Sequence, residues 1–245
     1  MNIIKNIPNS ITSMNILCGA LGVVFTLEGK LDIAFYLMLA GAVCDFCDGL
    51  AARALKAYSE LGKELDSLAD MVSFGLLPSL MLYKTMEFSG VNGVYCYIPL
   101  VIAIFSGLRL AKFNIDTRQS ENFIGMPTPA CAMICGSFAC CVFKGDSKVL
   151  AEIAASEWII PAVAVVLAYL LVCEIPMFGM KIKKGMSAST AIKTMRIAFF
   201  TIAAASVIVT LATKQNWAMI ILMTFVSYIL INIIGAVLCK NCSCK

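Results

Sequence analysis

The chain contains no histidine among its 245 residues, and only 14% of its residues are charged. Without an imidazole it has no histidine general base, no Ser-His or Cys-His nucleophile pair and no His-ligated zinc. A soluble globular domain carries about 25% charged residues. The low charge therefore excludes a water-soluble enzyme, a disordered tail and a nucleic-acid-binding domain. Any chemistry must use carboxylates, lysines, arginines, hydroxyls or thiols.

Long apolar runs dominate what is present, because 60% of the residues are apolar. Runs of this length predict an all-α, polytopic integral membrane helix bundle of about eight transmembrane helices. The predicted spans are 11–27, 31–50, 65–86, 94–111, 128–143, 158–177, 197–213 and 217–239. The connections are short, so we expect one domain over residues 1–245. Most of the 12 cysteines lie inside these runs, where a cysteine behaves as a small apolar side chain.

Lysine and arginine are distributed unevenly between the two sides of this bundle. Alternate connections and the termini carry 14 of the 19 basic residues, and the other side carries 5. The richer side of a multi-pass protein faces the cytoplasm. We therefore expect a protein of the cell membrane with both termini in the cytoplasm.

Four aspartates stand at the cytoplasmic ends of two neighbouring spans. Asp45 and Asp48 are three residues apart near the end of the second span, and Asp66 and Asp70 are four apart at the start of the third. On helices, each pair shares one face. The intervening segment is short enough to make the two helices antiparallel neighbours, so all four carboxylates are expected to converge just inside the membrane surface.

Four converging carboxylates repel one another and need a counter-charge. Arg53 and Lys63 are the closest cations in the sequence, and two cations do not balance the group. All-oxygen sites suit Mg²⁺, Mn²⁺ or Ca²⁺, and a pair of such ions can hold a pyrophosphate for in-line displacement at phosphorus. The alternative interpretation is four unrelated aspartates solvated at helix ends. A cation-coupled transporter is the alternative class, although its site would lie near the bilayer midplane.

The spacing of these residues resembles the signature of the CDP-alcohol phosphatidyltransferase family. The signature reads D-x2-DG-x2-AR-x8-G-x3-D-x3-D, and the chain matches it over residues 45–70 with no departure. The eight fixed positions are Asp45, Asp48, Gly49, Ala52, Arg53, Gly62, Asp66 and Asp70. The resemblance implies a six-helix core followed by two further helices, two divalent cations (Mg²⁺ or Mn²⁺), a cytoplasmic active site and a homodimer.

The resemblance also implies a role for each fixed residue. Asp45, Asp48 and Asp66 would bind metal, and Asp70 would complete the site and act as general base. Gly49 and Gly62 lack side chains, so the backbone can approach a nucleotide or phosphate. Arg53 is permanently charged and suits a phosphate oxygen, and Ala52 keeps that corner narrow. Taken singly, the glycines would be helix-packing residues and Arg53 a membrane-surface anchor.

Four further segments resemble the integral-membrane phosphatidylserine synthases of bacteria and archaea. They are residues 7–12, 71–79, 107–114 and 123–130. Lys112 replaces the usual second arginine of R-L-A-R-F-N, and Met126 replaces the usual leucine of F-x-G-L-P-x-P. Both replacements keep charge or bulk. This resemblance implies CDP-diacylglycerol as donor and L-serine as acceptor, with CMP released, among membrane lipids.

The predicted acceptor site uses the second basic loop. Arg109, Lys112 and Arg118 supply cations for a serine carboxylate, and Asn114 could orient either end of serine. Positive-inside anchoring explains Lys112 and Arg118 equally well. Glycerol 3-phosphate, or another alcohol, is the alternative acceptor. Glu174 is expected to pair with Lys181 or Lys183.

Overall fold

The computed structural model of the protein describes residues 3–116, 123–145, 147–177 and 190–242. Within these ranges the chain forms ten α-helices and two short strands. The helices are α1 (Ile3–Leu27), α2 (Leu31–Ala54), α3 (Glu60–Asp70), α4 (Leu77–Phe88), α5 (Val101–Ile115), α6 (Thr128–Lys144), α7 (Lys148–Ala155), α8 (Ile159–Val172), α9 (Thr190–Thr213) and α10 (Ala218–Cys242). A π-helical segment, Met71–Leu76, joins α3 to α4, and a 3₁₀ segment, Val94–Leu100, leads into α5.

The helices confirm an all-α, multi-pass membrane protein. Six helical stretches of the described residues are each long and apolar enough to cross a bilayer: Asn6–Leu27, Leu31–Ala54, Glu60–Phe88, Val94–Ile115, Thr194–Thr213 and Ala218–Ala236. Helices α6 and α7 make a seventh if they are taken as one span bent by 109°. Helix α8 is apolar but has only 14 residues. Each of the eight predicted spans therefore overlaps an apolar helix, while six or seven satisfy the length criterion.

Helix α6 lies at the centre of the bundle. Small side chains let its neighbours approach closely, because a Cβ at Gly136 would lie 2.5 Å from Met38 Cε and 3.0 Å from Phe35 Cδ2. Cys131, Cys135 and Cys140 are buried in this core as free thiols. The interpretation of the apolar-run cysteines as small core residues therefore holds along α6.

The predicted span over 158–177 ends earlier than expected. Helix α8 stops at Val172, and the chain then forms strand β2 (Pro176–Met177), which pairs antiparallel with β1 (Phe123–Ile124). Gly125, directly after β1, allows the chain to pass close to the end of α8. It has φ +77°, and a Cβ there would lie 2.8 Å from the carbonyl oxygens of Leu171 and Cys173. The amide of Met126 also donates to Leu170 O at 2.8 Å, so the chain entering α6 satisfies a terminal carbonyl of α8.

Candidate active site

Two helices, α2 and α3, carry the predicted carboxylates. Helix α2 ends at Ala54, a short turn follows, and α3 begins after Ser59, whose Oγ accepts from the amide of Gly62 at 3.0 Å. This N-cap begins α3 directly after the turn. Oxygen atoms of Asp45, Asp48 and Asp66 then lie within 4.8 Å of one another. Three of the four predicted carboxylates therefore meet as a single cluster, although a turn separates Asp66 from the other two.

Asp70 lies beside this cluster rather than within it. The carboxylate of Asp45 lies against those of both Asp66 and Asp70, and Asp70 also faces the guanidinium of Arg109. Arg109 is only 8% exposed. Asp70 thus interacts both with the carboxylate cluster and with a buried cation from α5.

The cluster has the features of a site built for cations. Oδ1 of Asp66 and Oδ1 of Asp70 are both buried and have no hydrogen-bond partner among the described residues. A buried carboxylate oxygen without a partner is costly, and the repulsion between neighbouring carboxylates adds to that cost. Divalent cations bound by oxygen ligands would relieve both. The donor set present therefore fits such an ion.

Helix α1 supplies a partner that the sequence interpretation did not assign. Thr12, which is 3% exposed, donates through Oγ1 to Asp48 Oδ2 at 2.6 Å. The same hydroxyl lies 3.0 Å from Pro8 O. The bond fixes the Asp48 carboxylate, which is itself 6% exposed. Segment 7–12 was noted for its resemblance, but its spacing carries no signal that Thr12 reaches Asp48.

A pocket of about 400 Å³ opens next to the carboxylates, and it contains every residue that was predicted for the nucleotide side. Gly49, Ala52, Arg53 and Gly62 line it together with Asp48 and Asp66. Further lining residues that the sequence interpretation missed are Pro8, Asn9, Thr12, Tyr58 and Lys63. Arg53 is oriented by its own helix, since Nε donates to Gly49 O at 2.8 Å.

The two glycines of this pocket lack a side chain for different reasons. A Cβ at Gly62 would lie 2.9 Å from Asn9 Oδ1 and 3.0 Å from Ser59 Oγ, so it would displace the α1 contact or the N-cap of α3. A Cβ at Gly49 would meet only Arg53 Nη2, at 3.8 Å. Gly62 is therefore required by the packing of the protein. Gly49 is not, and its missing side chain leaves room in the pocket.

The residues predicted for the acceptor do not all lie together. Arg109 faces Asp70, as described above. Lys112 lies 3.7 Å from Glu174, and both side chains are largely exposed. Asn114 contacts α3 instead. Its side-chain Nδ2 donates to Ser67 Oγ at 2.9 Å, and its backbone carbonyl oxygen accepts from Lys63 Nζ at 3.0 Å. Arg118, Lys181 and Lys183 lie outside the described residues.

These contacts change the interpretation of α5. Asn114 ties the end of α5, the helix that carries Arg109, to α3, the helix that carries Asp70. Lys112 is a partner of Glu174 among the described residues, and the predicted pairing with Lys181 or Lys183 stays a prediction. Arg109 is the predicted acceptor residue whose position adjoins the carboxylates.

Comparison with known proteins agrees with this geometry. The family model of the CDP-alcohol phosphatidyltransferases matches residues 5–171, which is more than half of the chain. The chain therefore belongs to the CDP-alcohol phosphatidyltransferase family. The match includes α1 to α6 and the carboxylate cluster, and it ends within α8.

Individual relatives narrow the comparison to one branch. The chain is 41% identical over 128 residues to a CDP-diacylglycerol–serine O-phosphatidyltransferase of Bacillus subtilis, an alignment covering 52% of this chain and 71% of that protein. A Helicobacter pylori protein of the same name is 35% identical over 129 residues, 52% of this chain and 54% of its own length. An archaetidylserine synthase of Methanothermobacter thermautotrophicus is 32% identical over 135 residues, 54% of this chain and 57% of its own length. The aligned part thus spans little more than half of the last two relatives.

Proposed function

We propose that the protein transfers the phosphatidyl group of CDP-diacylglycerol to the hydroxyl of L-serine, giving phosphatidylserine and CMP. One observation carries the proposal: three carboxylates within 4.8 Å of one another adjoin a pocket lined by all four non-acidic fixed residues of the family signature. The relatives named above supply the choice of serine, since two of them act on serine by name and the third is named for archaetidylserine.

Asp45, Asp48, Asp66 and Asp70 would hold two divalent cations, Mg²⁺ or Mn²⁺. Bound there, such ions would neutralise the pyrophosphate and stabilise charge developing at phosphorus. The protein contributes the geometry, because Asp48 is held by Thr12 from α1 and Asp66 lies one helical turn before Asp70. The unpartnered oxygens of Asp66 and Asp70 support this assignment.

The nucleotide side of the donor would occupy the 400 Å³ pocket. Arg53 lies at its wall and offers a permanent charge to a phosphate oxygen. Gly49 leaves the backbone of α2 accessible there, and the small side chain of Ala52 leaves room for the nucleotide. The acyl chains of the donor would extend into the leaflet beside the carboxylate end of the bundle.

Asp70 would act as the general base for serine. Its neighbours place it between the carboxylate cluster and Arg109, and Arg109 matches a carboxylate through its planar guanidinium. With the serine carboxylate on Arg109, the serine hydroxyl gives its proton to Asp70 while its oxygen bonds to the lipid-linked phosphorus. The bond from that phosphorus to the CMP oxygen breaks, and CMP leaves.

Several other features belong to this proposal. The carboxylate end of the bundle would face the cytoplasm of the cell membrane, with both termini on that side. Residues 1–245 would form one domain, a six-helix core with two added helices, and the protein would be a homodimer. These features rest on the uneven basic residues and on family membership.

A direct test measures CMP release from CDP-diacylglycerol by the purified protein in mixed micelles. We expect release only with L-serine and a divalent cation, and loss of release in Asp45→Asn, Asp48→Asn and Asp66→Asn while the protein stays folded. Full activity in excess chelator would contradict the metal assignment. A preference of the parent protein for glycerol 3-phosphate would contradict serine and leave family membership intact.

The same assay separates the roles of Arg109 and Asp70. Arg109→Lys should raise the KM for serine about 10- to 100-fold, because the loss of a bidentate charged bond costs a few kcal/mol. Asp70→Asn should lower kcat, since it removes the base at nearly constant size. If Arg109→Lys weakens only the use of CDP-diacylglycerol, Arg109 belongs to the donor site.

A further inference from the structure

A second cavity of about 250 Å³ lies in the bundle, away from the helices that carry the carboxylates. Its walls come from α4, α6, α7, α8 and α10, and they are almost entirely apolar. Ile134 and Phe138 of α6 form the inner wall, and Leu150 and Ile153 of α7 cover one end. None of the residues proposed for donor, metal or acceptor lines it.

The cavity belongs to the opposite half of the membrane from the carboxylates. Lys144, at the end of α6, bonds to Asp32 at the start of α2 at 2.5 Å. Asp32 is 13 residues before Asp45, or roughly 20 Å along a helix at 1.5 Å per residue. Helix α7 follows α6 at that far end and turns by 109°, so it closes the bundle on the side away from the active site.

The cavity is open to the lipid-facing surface. Its lining includes Ile159 and Val163 of α8 and Val226 of α10, whose exposed fractions are 43%, 45% and 39%. The apolar wall therefore continues without interruption onto the outside of the membrane-spanning helices. Its contents can exchange with the bilayer without crossing a polar barrier.

The chemistry of the walls selects the occupant. Water in a cavity requires two to four polar partners, and these walls offer almost none. A polar ligand would lose its hydration without compensation. An unbranched hydrocarbon chain fits an apolar cavity that opens sideways into lipid, and acyl chains are the hydrocarbon that a bilayer supplies.

We propose that this cavity binds one acyl chain of a membrane phospholipid from the leaflet opposite the active site, as a lipid site separate from the donor site. Helix α7 forms its roof by placing Leu150 and Ile153 over the chain, while Glu152 on the same helix is exposed. The donor is bound at the other end of the bundle under the proposed function. The bound lipid is therefore a resident lipid and not a substrate.

The experiment uses the full-length protein in nanodiscs that contain phosphatidylcholine with a diazirine at the end of one acyl chain. After irradiation, mass spectrometry of peptides locates the label. We expect the label on Leu150 and Ile153 to be several-fold above that on Ile208, a lipid-facing residue of α9 that is 68% exposed. Equal labelling at the two places would overturn the proposal, because it would mean only general contact with lipid.

Matched variants of α8 separate cavity binding from surface contact. Val163→Trp fills the cavity and should reduce the label on α7 several-fold. Val166→Trp, on the same helix and 56% exposed but outside the cavity lining, should leave it unchanged. If Val163→Trp does not fold, Ile159→Phe at the rim provides the same test. Undiminished label in a filled variant that folds would overturn the proposal.

Activity gives an independent control. Because the cavity is separate from the proposed active site, Val163→Trp should keep serine-dependent CMP release. The labelling result does not depend on that release, so failure of the lipid proposal and failure of the proposed function are distinguishable.

Discussion

At the scale of single residues, the carboxylates depend on partners from elsewhere in the chain. Asp48 is fixed by Thr12, which precedes it by 36 residues. One turn further along α1, Asn15 is fully buried, and neither polar atom of its carboxamide has a hydrogen-bond partner among the described residues. The backbone carbonyl oxygen of Asn15 accepts from Ser73 Oγ at 3.0 Å. Helix α1 therefore contacts Asp48 through Thr12 and the segment after Asp70 through Asn15.

The contact between Thr12 and Asp48 leads to a prediction about metal affinity. Thr12→Val keeps the shape of the side chain but removes the donor that orients the Asp48 carboxylate. Loss of a partner that orients a metal ligand typically weakens affinity or activity about 10- to 100-fold. We expect a rise of that size in the Mg²⁺ or Mn²⁺ concentration that gives half-maximal activity, while Thr12→Ser retains the parent value.

Thr26→Val is the matched control, because Thr26 is equally buried in α1 and bonds only to Gly22 O of its own helix, at 2.8 Å. In Thr26→Val, the Mg²⁺ or Mn²⁺ concentration that gives half-maximal activity should stay at the parent value. If both valine variants shift the midpoint equally, Thr12 acts on the packing of α1 rather than on Asp48.

At the scale of elements, the π-helical segment Met71–Leu76 follows directly after Asp70 within one helical stretch, Glu60–Phe88. Such segments are rare and frequently lie at functional sites. Glycines of its neighbours let it pack closely. A Cβ at Gly19 of α1 would lie 2.4 Å from Ser73 Oγ and 3.0 Å from Ser73 Cα. The position of the segment, and with it that of Asp70, is therefore set against α1.

Gly19→Ala should destabilise the protein and lower kcat together. The added methyl group meets the backbone of Ser73, which cannot move aside as a flexible side chain would, and overpacking of this kind typically costs about 1–3 kcal/mol. Displacing the segment also displaces Asp70. Thermal unfolding in detergent and steady-state CMP release would measure the two effects.

Gly107→Ala provides the comparison from α5. Its Cβ would meet the same segment only at the flexible side chain of Met71, at 3.4 Å from Sδ and 3.7 Å from Cε, which is ordinary contact. We expect it to retain both the parent melting temperature and the parent kcat. Equal behaviour of the two alanine variants would mean that the π-helical segment tolerates displacement from α1.

At the scale of the whole molecule, the bundle has two chemically different ends. One end holds the carboxylates, Arg53, Lys63 and Arg109. The other holds the ion pair between Lys144 and Asp32 and the stacked rings of Trp217 with Phe35 and Tyr36. Amphipathic rings of this kind suit the boundary between membrane and water. The uneven basic residues predict that the carboxylate end is cytoplasmic.

Single-cysteine labelling in intact cells would test this orientation. A cysteine at position 56, in the turn after α2, should be protected from an impermeant maleimide, and a cysteine at position 148, at the start of α7, should react. The structure simplifies the background, because six native cysteines are buried and can remain. Only the less buried Cys18, Cys44 and Cys47 and the three C-terminal cysteines need replacement. Labelling at position 56 but not at position 148 would show that the carboxylate end faces outward, contrary to the prediction.

The sequence by itself determined the features that depend on local spacing. Apolar runs predict membrane helices because the bilayer requires about 20 apolar residues per span. The spacings of Asp45 with Asp48 and of Asp66 with Asp70 place each pair on one helix face because of the helical period. The signature over residues 45–70 then sufficed to predict the family, and its four non-acidic residues all line one pocket.

Only the tertiary structure decided the features that join distant parts of the chain. The bond from Thr12 to Asp48 and the interaction of Arg109 with Asp70 each connect different helices. The contact of Lys112 with Glu174 connects α5 to the segment that follows α8. No periodicity encodes such contacts, because they depend on how the helices pack and rotate against one another. The early end of α8 at Val172 likewise depends on tertiary contacts, namely the pairing of β1 with β2 and the bond from Met126 to Leu170 O. Most of residues 173–178 are apolar, so a hydropathy pattern does not detect the end of α8, whereas the turn into α7 falls in the polar segment 144–148, where the predicted span also ends.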